Sequence, residues 1–444
     1  MKNSLKISEI FSIGLLLFAI FFGAGNMIFP PALGQAAGTN TWIAILGFII
    51  ADVGLSLLAI IAVAFSDGDC NKLANRVHPK FSKLFIISIY MAMGPFCVIP
   101  RTGAVSYEMS IMPLLPQSFQ YEWIIRILFT FIFFTITYFL ALNPSKLVNR
   151  IGKILTPALL FMIGVVTIAS IISPIGSFSA PIEEYARTPF LKGFLDGYLT
   201  LDAVGALIVA IIVINSIKEL GIKDPKSIAK NTIYSGIIAS VSLLVVYFAL
   251  AYLGASSISL GKAKDGVIIL TNIMNHLFGT YGILLLGLII MLACLTTSVG
   301  LASSFGNYFS ELSSKFSYKR IVAIVCLFSF ILSNLGLSLI LKITEPILLI
   351  LYPLTIILIL VSFIDKLIKS NPNVYVFSMI CAFIVSLLHV VENLGLTISH
   401  IHKIMHMIPL YDVGMGWVIP SIIGGIIGFF IPYKNGKKLN TEQL

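Results

Sequence analysis

Charged side chains are scarce in this chain: Asp, Glu, Lys and Arg make up only 11% of its 444 residues, against about a quarter in soluble domains. With 58% of residues hydrophobic, too little polar surface remains to wrap a water-soluble core, and the composition predicts an all-α polytopic membrane protein. Cysteine is sparse as well. Cys70, Cys97, Cys294, Cys326 and Cys381 are scattered without a CxxC pair, which argues against a disulfide framework and a cysteine-based zinc site. A phosphate-binding GxxxxGK[ST] loop and a GxSxG nucleophile elbow are both missing, so neither nucleotide-driven work nor hydrolysis of those types has a visible site, and no enzyme activity or organic cofactor is expected. No Ser/Gly-rich linker or low-complexity tract divides the chain, so residues 1–444 read as a single integral-membrane domain.

What is abundant is apolar sequence in runs of about 20 residues, the length that crosses a hydrocarbon core. Twelve spans are expected, at about 8–36, 41–65, 83–112, 122–142, 150–172, 191–217, 230–254, 279–312, 318–336, 338–364, 373–393 and 414–432. The net charge of +10 does not imply a nucleic acid partner, because its placement follows topology. With both termini cytoplasmic, all the basic residues except Arg101, Arg126, Arg187, Lys192, Lys262, Lys264, Lys342 and Lys403 fall in cytoplasmic segments or span ends, as the positive-inside rule requires. Lys2, Lys6 and the run Ile10 to Phe22 superficially look like a secretory signal. The sequence continues apolar through Met27-Ile28-Phe29, which favours an uncleaved first span.

That first span carries a flaw. Gly23-Ala24-Gly25-Asn26, followed by Pro30-Pro31, disfavours helix and removes two backbone donors, so partial unwinding is expected there. Close packing through small residues is the competing reading, but packing needs neither Asn26 nor the prolines. A second interruption lies near Gly193, Gly197, Thr200, Asp202 and Gly205 in span six. Breaks in spans one and six divide ten spans into two sets of five, the pattern of an inverted repeat: 8–172 and 191–368, followed by two additional helices over 373–432. Interruptions at bilayer depth are tolerated only inside protein or beside a watery cavity. The exposed amides and carbonyls of two half-helices suit a zwitterion and a sodium ion.

Other residues stand out within apolar segments. Span eight holds Ala293-Cys294-Leu295-Thr296-Thr297-Ser298, whose hydroxyls either supply oxygens to a hard cation or bond the carbonyl one turn back. Asp52, Arg101, Glu108, Asp202 and Glu345 are ionisable residues inside spans, where charge is costly enough to make function the default reading. Asp202 is the foremost of these: it faces a substrate ammonium, responds to a proton or sodium ion, or is a structural acid bonded to loose amides. Arg101 and Glu108 are about two helical turns apart and form either an internal pair or separate contacts; Glu345 is given no role. His402 and His406 share a helical face near His400 and Lys403, yet no carboxylate or cysteine lies at ligand spacing, so this segment reads as a polar extracellular loop. Gly424 and Gly428 form a small-xxx-small motif for packing or dimerisation.

Three motifs together, Gly25-Asn26-Met27-Ile28-Phe29-Pro30-Pro31-Ala32-Leu33-Gly34, Ile99-Pro100-Arg101-Thr102-Gly103-Ala104-Val105-Ser106 and Gly197-Tyr198-Leu199-Thr200-Leu201-Asp202-Ala203, resemble the bacterial branched-chain amino acid transport system II carrier family. The resemblance covers essentially the whole chain. It implies a cation-coupled symporter for leucine, isoleucine and valine within the wider amino acid–polyamine–organocation superfamily and its five-plus-five repeat; sodium is the expected coupling ion and the bacterial cytoplasmic (inner) membrane the expected location. By similarity to sodium-coupled members of that fold, amides near Ala24 and Gly25 hold the substrate carboxylate. A sodium ion is held by Thr296, Thr297 and the carbonyls of Ala293, Ala19 and Phe22, and Asn26 with Thr200 offers a second sodium site. Asp202 departs from the small neutral residue that many of the wider group carry at its position. A proton-coupled symporter or exchanger of the same fold is the alternative, and a non-transporting receptor is a more distant one.

Overall fold

The computed structural model describes residues 5–66, 68–116, 120–142, 144–263, 265–312, 315–396 and 399–432, the side chains of 144–155 and 399–401 excepted. Lys2, Lys264, Lys434, Lys437, Lys438, both chain ends and the side chains of Lys146, Arg150, Lys153 and His400 lie outside that description. The described residues contain helices and no strand. Bilayer-depth backbone must satisfy its own donors and acceptors, and a helix does so within one segment. In chain order the helices are α1 (Ile7–Phe21), α2 (Ala24–Ala37), α3 (Thr41–Ile49), α4 (Leu55–Ala64), α5 (Cys70–Ala74), α6 (Pro79–Met91), α7 (Val98–Ser110), α8 (Glu122–Ala141), α9 (Pro144–Ile172), α10 (Glu184–Arg187), α11 (Pro189–Gly197), α12 (Asp202–Glu219), α13 (Pro225–Ser256), α14 (Gly266–Leu312), α15 (Tyr318–Ser333), α16 (Leu337–Phe363), α17 (Pro372–Asn393), α18 (Ser399–His406) and α19 (Val418–Phe430).

By length and composition, seven helical stretches among the described residues can cross a membrane, or eight with the bent pair α11–α12, and Ile7–Phe21, Thr156–Ile172 and Val418–Phe430 are shorter apolar helices. Local chemistry sets several ends. Asp224 and Asn371 accept the amides of Ser227 and Asn373 at the starts of α13 and α17, each with proline at the first helical position, where its missing N–H costs nothing. Gly279, at φ 60°, turns the short apolar segment that opens α14 into span eight. Large apolar side chains such as Phe131, Phe139, Leu285 and Leu288 are exposed, as a surface solvated by lipid requires.

The chain divides into two compact units. The first comprises Met1–Gly68 and Ile87–Leu348. Here glycines let backbones touch: a Cβ on Gly34 would lie 2.0 Å from the Ala251 carbonyl oxygen, one on Gly254 2.0 Å from that of Pro31, and one on Gly193 1.9 Å from that of Ala44. Thus α2 packs on α13, and α11 packs on α3. Turns of π geometry join α3 to α4 (Ile50–Gly54) and α6 to α7 (Ala92–Phe96).

The second unit comprises Asp69–Ile86 and Leu349–Leu444. Its α19 packs on α17 through glycine, with a Cβ on Gly428 falling 2.4 Å from the Asn373 carbonyl oxygen and one on Gly424 2.7 Å from that of Phe377. Gly424 and Gly428 thus pack within the chain, against α17. Arg76 Nη1 lies 3.6 Å from Asp365 Oδ2, and the Tyr375 hydroxyl donates to Asp365 Oδ1 at 2.8 Å.

The break in span one is narrower than the sequence suggests. Only Phe22 and Gly23 leave helical geometry, while Ala24, Gly25 and Asn26 form the first turn of α2, and Pro30 and Pro31 lie within that helix. Tertiary contact overrides propensity here, because the glycine contacts with α13 hold α2 along the turns that the prolines would otherwise loosen.

Candidate functional site

The site is assembled from two helix breaks. At the first, α1 stops at Phe21, Phe22 turns away (φ −69°, ψ 83°) and Gly23 is extended (φ −115°, ψ −158°). A helix end leaves its last four carbonyls and its first amides without intrahelical partners, so the carbonyls of Ala19 to Phe22 and the amides of Ala24, Gly25 and Asn26 are set free at one place. Asn26 fixes the geometry by accepting the Gly23 amide on Oδ1 at 3.2 Å. The two half-helix dipoles therefore present partial negative charge from α1 beside partial positive charge from α2.

At the second break, α11 ends in a tight turn over Tyr198–Thr200, and α12 begins at Asp202 with a bend of 43°. The residue between them, Leu201, is fully buried at φ 74°, ψ 7°. A leucine in the left-handed region costs about 1 kcal/mol or more, a strain sustained by its surroundings. Asp202 stands at the first position of α12, where the helix dipole favours an anion.

Three further elements tie the breaks together. Asn26 Nδ2 donates to Asp202 Oδ2 at 2.6 Å and to the Tyr247 hydroxyl of α13 at 2.5 Å. Asp52, buried in the π-turn of span two, lies 2.5 Å through Oδ1 from Thr200 Oγ1, which is also 2.8 Å from the Gly197 carbonyl. Arg101 of α7 donates from Nη1 to the Leu199 carbonyl at 2.6 Å and from Nη2 to the Thr200 carbonyl at 3.0 Å. The same guanidinium lies against span one, 5.6 Å from the Phe29 ring centroid and 2.7 Å from where a Cβ on Gly25 would stand. Among the described residues, Asp52 Oδ2 is buried without a hydrogen bond of good geometry.

Span eight meets the first break through one threonine. Thr297 Oγ1 faces the Ile20 carbonyl at 3.5 Å and would lie 3.1 Å from a Cβ on Gly23. Thr296 instead donates to the Leu292 carbonyl one turn back at 3.0 Å, and Ser298 pairs with Thr102 of α7 at 2.5 Å. Ala293, Thr296 and Thr297 are all buried. The structure thus brings Asn26, Thr200 and Asp202 into one network and sets Thr297 beside the carbonyl end of α1; Ala24 and Gly25 stand at the amide end of α2. Arg101 and Glu108 are separate: Glu108 Oε1 accepts the Leu337 amide at 3.2 Å, capping α16.

Residues 6–435 match the family described as branched-chain amino acid transport protein. The branched-chain amino acid permease BraB of Bacillus subtilis is 44% identical over 444 residues, covering 99% of both chains. This chain belongs to the branched-chain amino acid transport protein family. The branched-chain amino acid transport system 2 carrier protein of Pseudomonas aeruginosa is 39% identical over 426 residues, covering 95% of this chain and 96% of that one. The relatives are named permeases and carriers, so the family is one of multi-pass membrane transporters rather than enzymes. Among solved structures, MhsT in complex with L-phenylalanine aligns with TM-score 0.59 at 15% identity, covering 94% of this chain and 97% of its own. Mhp1, a nucleobase–cation symporter closed on bromovinylhydantoin, aligns with TM-score 0.58 at 13% identity, covering 95% and 91%. At such identities the likeness concerns the fold alone.

Sequence reasoning marked Asp52 as functional by its cost of burial but gave it no specific role, and did not find Tyr247. The signal for Asp52 was present, as a lone acid in span two. Tyr247 carries no local signal at all, since one tyrosine in α13 becomes part of the site only through packing.

Proposed function

We propose that this chain imports branched-chain amino acids by sodium-coupled alternating access. The observation that carries this reading is the break at Phe22–Gly23, where free carbonyls and free amides lie a few residues apart with the Thr297 hydroxyl beside the carbonyl side. The substrate carboxylate sits on the amides of Ala24 and Gly25. Sodium takes oxygens from the carbonyls of Ala19, Phe22 and Ala293 and from Thr297 and Thr296, whose hydroxyl keeps an acceptor lone pair while donating to Leu292. Asp202, with Asn26 and Thr200, meets the substrate ammonium. Met93 against Gly205, 2.4 Å from where its Cβ would stand, supplies part of the apolar wall for the substrate side chain between spans three and six.

Twelve spans with a five-plus-five inverted repeat complete the reading. Its support is the exchange relation between contacts: span one touches span seven through Gly34 and Gly254, and span six touches span two through Gly193 and Gly47. Exchanging one with six and two with seven maps one contact onto the other. The orientation in the bacterial cytoplasmic membrane, with both termini inside, rests on the distribution of Lys and Arg. The deciding experiment is leucine uptake into proteoliposomes driven by a sodium gradient alone; absence of flux under that gradient rejects sodium coupling.

One observation favours proton coupling as a second reading. The buried cluster sets two carboxylates, Asp52 and Asp202, against one guanidinium, Arg101, and an unbalanced buried charge is expensive. Thr200 Oγ1 has one proton and two acceptor neighbours, Asp52 Oδ1 and the Gly197 carbonyl. A proton on Asp52 Oδ1 satisfies both contacts. Uptake driven by a pH gradient in sodium-free buffer selects this reading.

A further inference from the structure

The only grouping of three potential metal ligands among the described residues lies far along the sequence from the transport site, in the second unit: Glu392, His402 and His406. The sequence alone shows no carboxylate at ligand spacing from the two histidines. Folding supplies one, because the end of α17 lies beside α18. His402 and His406 are one turn apart on α18, with ring centroids 4.1 Å apart, and both rings converge on a single oxygen. Glu392 Oε1 is 2.5 Å from His402 Nδ1 and 3.0 Å from His406 Nε2. The three ligand atoms all lie within 4.8 Å of one another, within side-chain adjustment of the roughly 3.3 Å edge that zinc distances of about 2.0–2.2 Å impose on a tetrahedron.

We propose that Glu392, His402 and His406 form a binding site for a divalent transition-metal ion of the zinc class. An ordinary imidazole–carboxylate pair needs one ring; here two rings point at one oxygen, a poor arrangement for two imidazolium ions and a good one for a shared cation. The surrounding groups are those that orient metal ligands. Asp412 Oδ1 is hydrogen-bonded to His406 Nδ1, which leaves Nε2 as the metal-facing nitrogen. The Tyr411 hydroxyl donates to Glu392 Oε2 at 2.7 Å, which leaves Oε1 as the single bound oxygen. Two nitrogens and one carboxylate oxygen make a three-ligand set with a fourth position for water. Both histidines are exposed, with side-chain accessibilities of 46% and 39%, so an ion reaches them directly. Once bound, it fastens α18 to the end of α17. This proposal is independent of which ion drives transport.

The test uses the purified full-length chain without an affinity tag. Zinc competition against a chromophoric chelator is expected to show one ion per chain. His402→Ala and His406→Ala are each expected to abolish that binding, and Asp412→Asn to weaken it by about 10–100-fold. Cobalt should give visible ligand-field bands without a thiolate charge-transfer band, which separates this site from the cysteines. As a check that does not depend on a folded alanine variant, zinc should raise the thermal midpoint of the wild-type chain and leave that of His402→Gln unmoved. The proposal is overturned by a wild-type chain that takes up no stoichiometric zinc, by histidine variants that bind like wild type, by a thiolate band, or by an equal thermal shift in His402→Gln.

Discussion

Asn26 and Asp202, 176 positions apart in sequence, share a hydrogen bond of 2.6 Å from Asn26 Nδ2 to Asp202 Oδ2. That bond joins the break of span one to the break of span six, and the same asparagine accepts the Gly23 amide on its other side-chain atom. Asn26→Ala removes both links and leaves buried polar atoms unmet, at about 1–3 kcal/mol each. Leucine uptake in proteoliposomes should fall to near background, with a lower thermal midpoint in detergent. Wild-type uptake in this variant removes the bond from the mechanism. Asp202→Asn keeps the size of the side chain and should also lower uptake.

The two adjacent threonines of span eight should separate. Thr297 faces the break of span one, whereas Thr296 donates to its own helix. Thr297→Ala should raise the sodium concentration for half-maximal uptake by about tenfold, the scale of one charge-assisted contact, and Thr296→Ala should shift it less. Sodium titrations of initial rates decide the order, and an unchanged sodium dependence in Thr297→Ala dismisses the assignment.

Gly25→Ala is expected to act through Arg101. Its Cβ would stand 2.7 Å from Nη2, so the guanidinium must move and its bonds to the Leu199 and Thr200 carbonyls are disturbed. The half-saturating leucine concentration should rise by about tenfold while the chain stays folded, since a charge-assisted bond is worth about 1.5–3 kcal/mol. Leucine titration combined with a thermal melt distinguishes this outcome from general unfolding.

Gly254→Ala should instead fail as a fold. The new methyl would lie 2.0 Å from the Pro31 carbonyl oxygen, a clash with backbone, and overpacking of this kind costs about 1–3 kcal/mol or more. Gly164→Ala meets nothing within 4 Å among the described residues and sits inside α9, where alanine favours helix by about 0.5–1 kcal/mol. Expression and melting temperature should drop for the first and hold or rise for the second.

Asp52→Asn discriminates between coupling ions. If a proton on the Asp52 and Asp202 pair drives the cycle, uptake under a pH gradient in sodium-free buffer should be lost in this variant and present in wild type. If sodium drives the cycle, neither protein takes up leucine under that gradient.

Much of this site was legible in the sequence where the signal was local. Two glycines and an asparagine inside an apolar run located the first break to within two residues, and Thr200 and Asp202 marked the second. The extent of unwinding was not legible, because the contact between Gly34 and α13 that keeps Pro30 and Pro31 helical comes from residues more than 200 positions away. Tyr247 and the joining role of Arg101 were hidden for the same reason. So was Glu392, which reaches His402 and His406 from a different helix. The small-xxx-small pair Gly424 and Gly428 was legible as a contact surface, but its partner, α17, was not.

The π-turn at Ile50–Gly54 has a consequence for anyone counting along span two. Such a turn holds one residue more than α-helical winding requires, and one residue is about 100° of rotation. The two halves of the span are therefore in different angular frames, and a face traced from Trp42 at regular helical spacing arrives at the wrong side of α4. Excising a neighbour of Asp52 within the turn would restore α-helical winding ahead of α4 and re-aim Asp52. Length here encodes direction, so a one-residue gap at this point in an alignment of relatives marks a change in which way the acid faces.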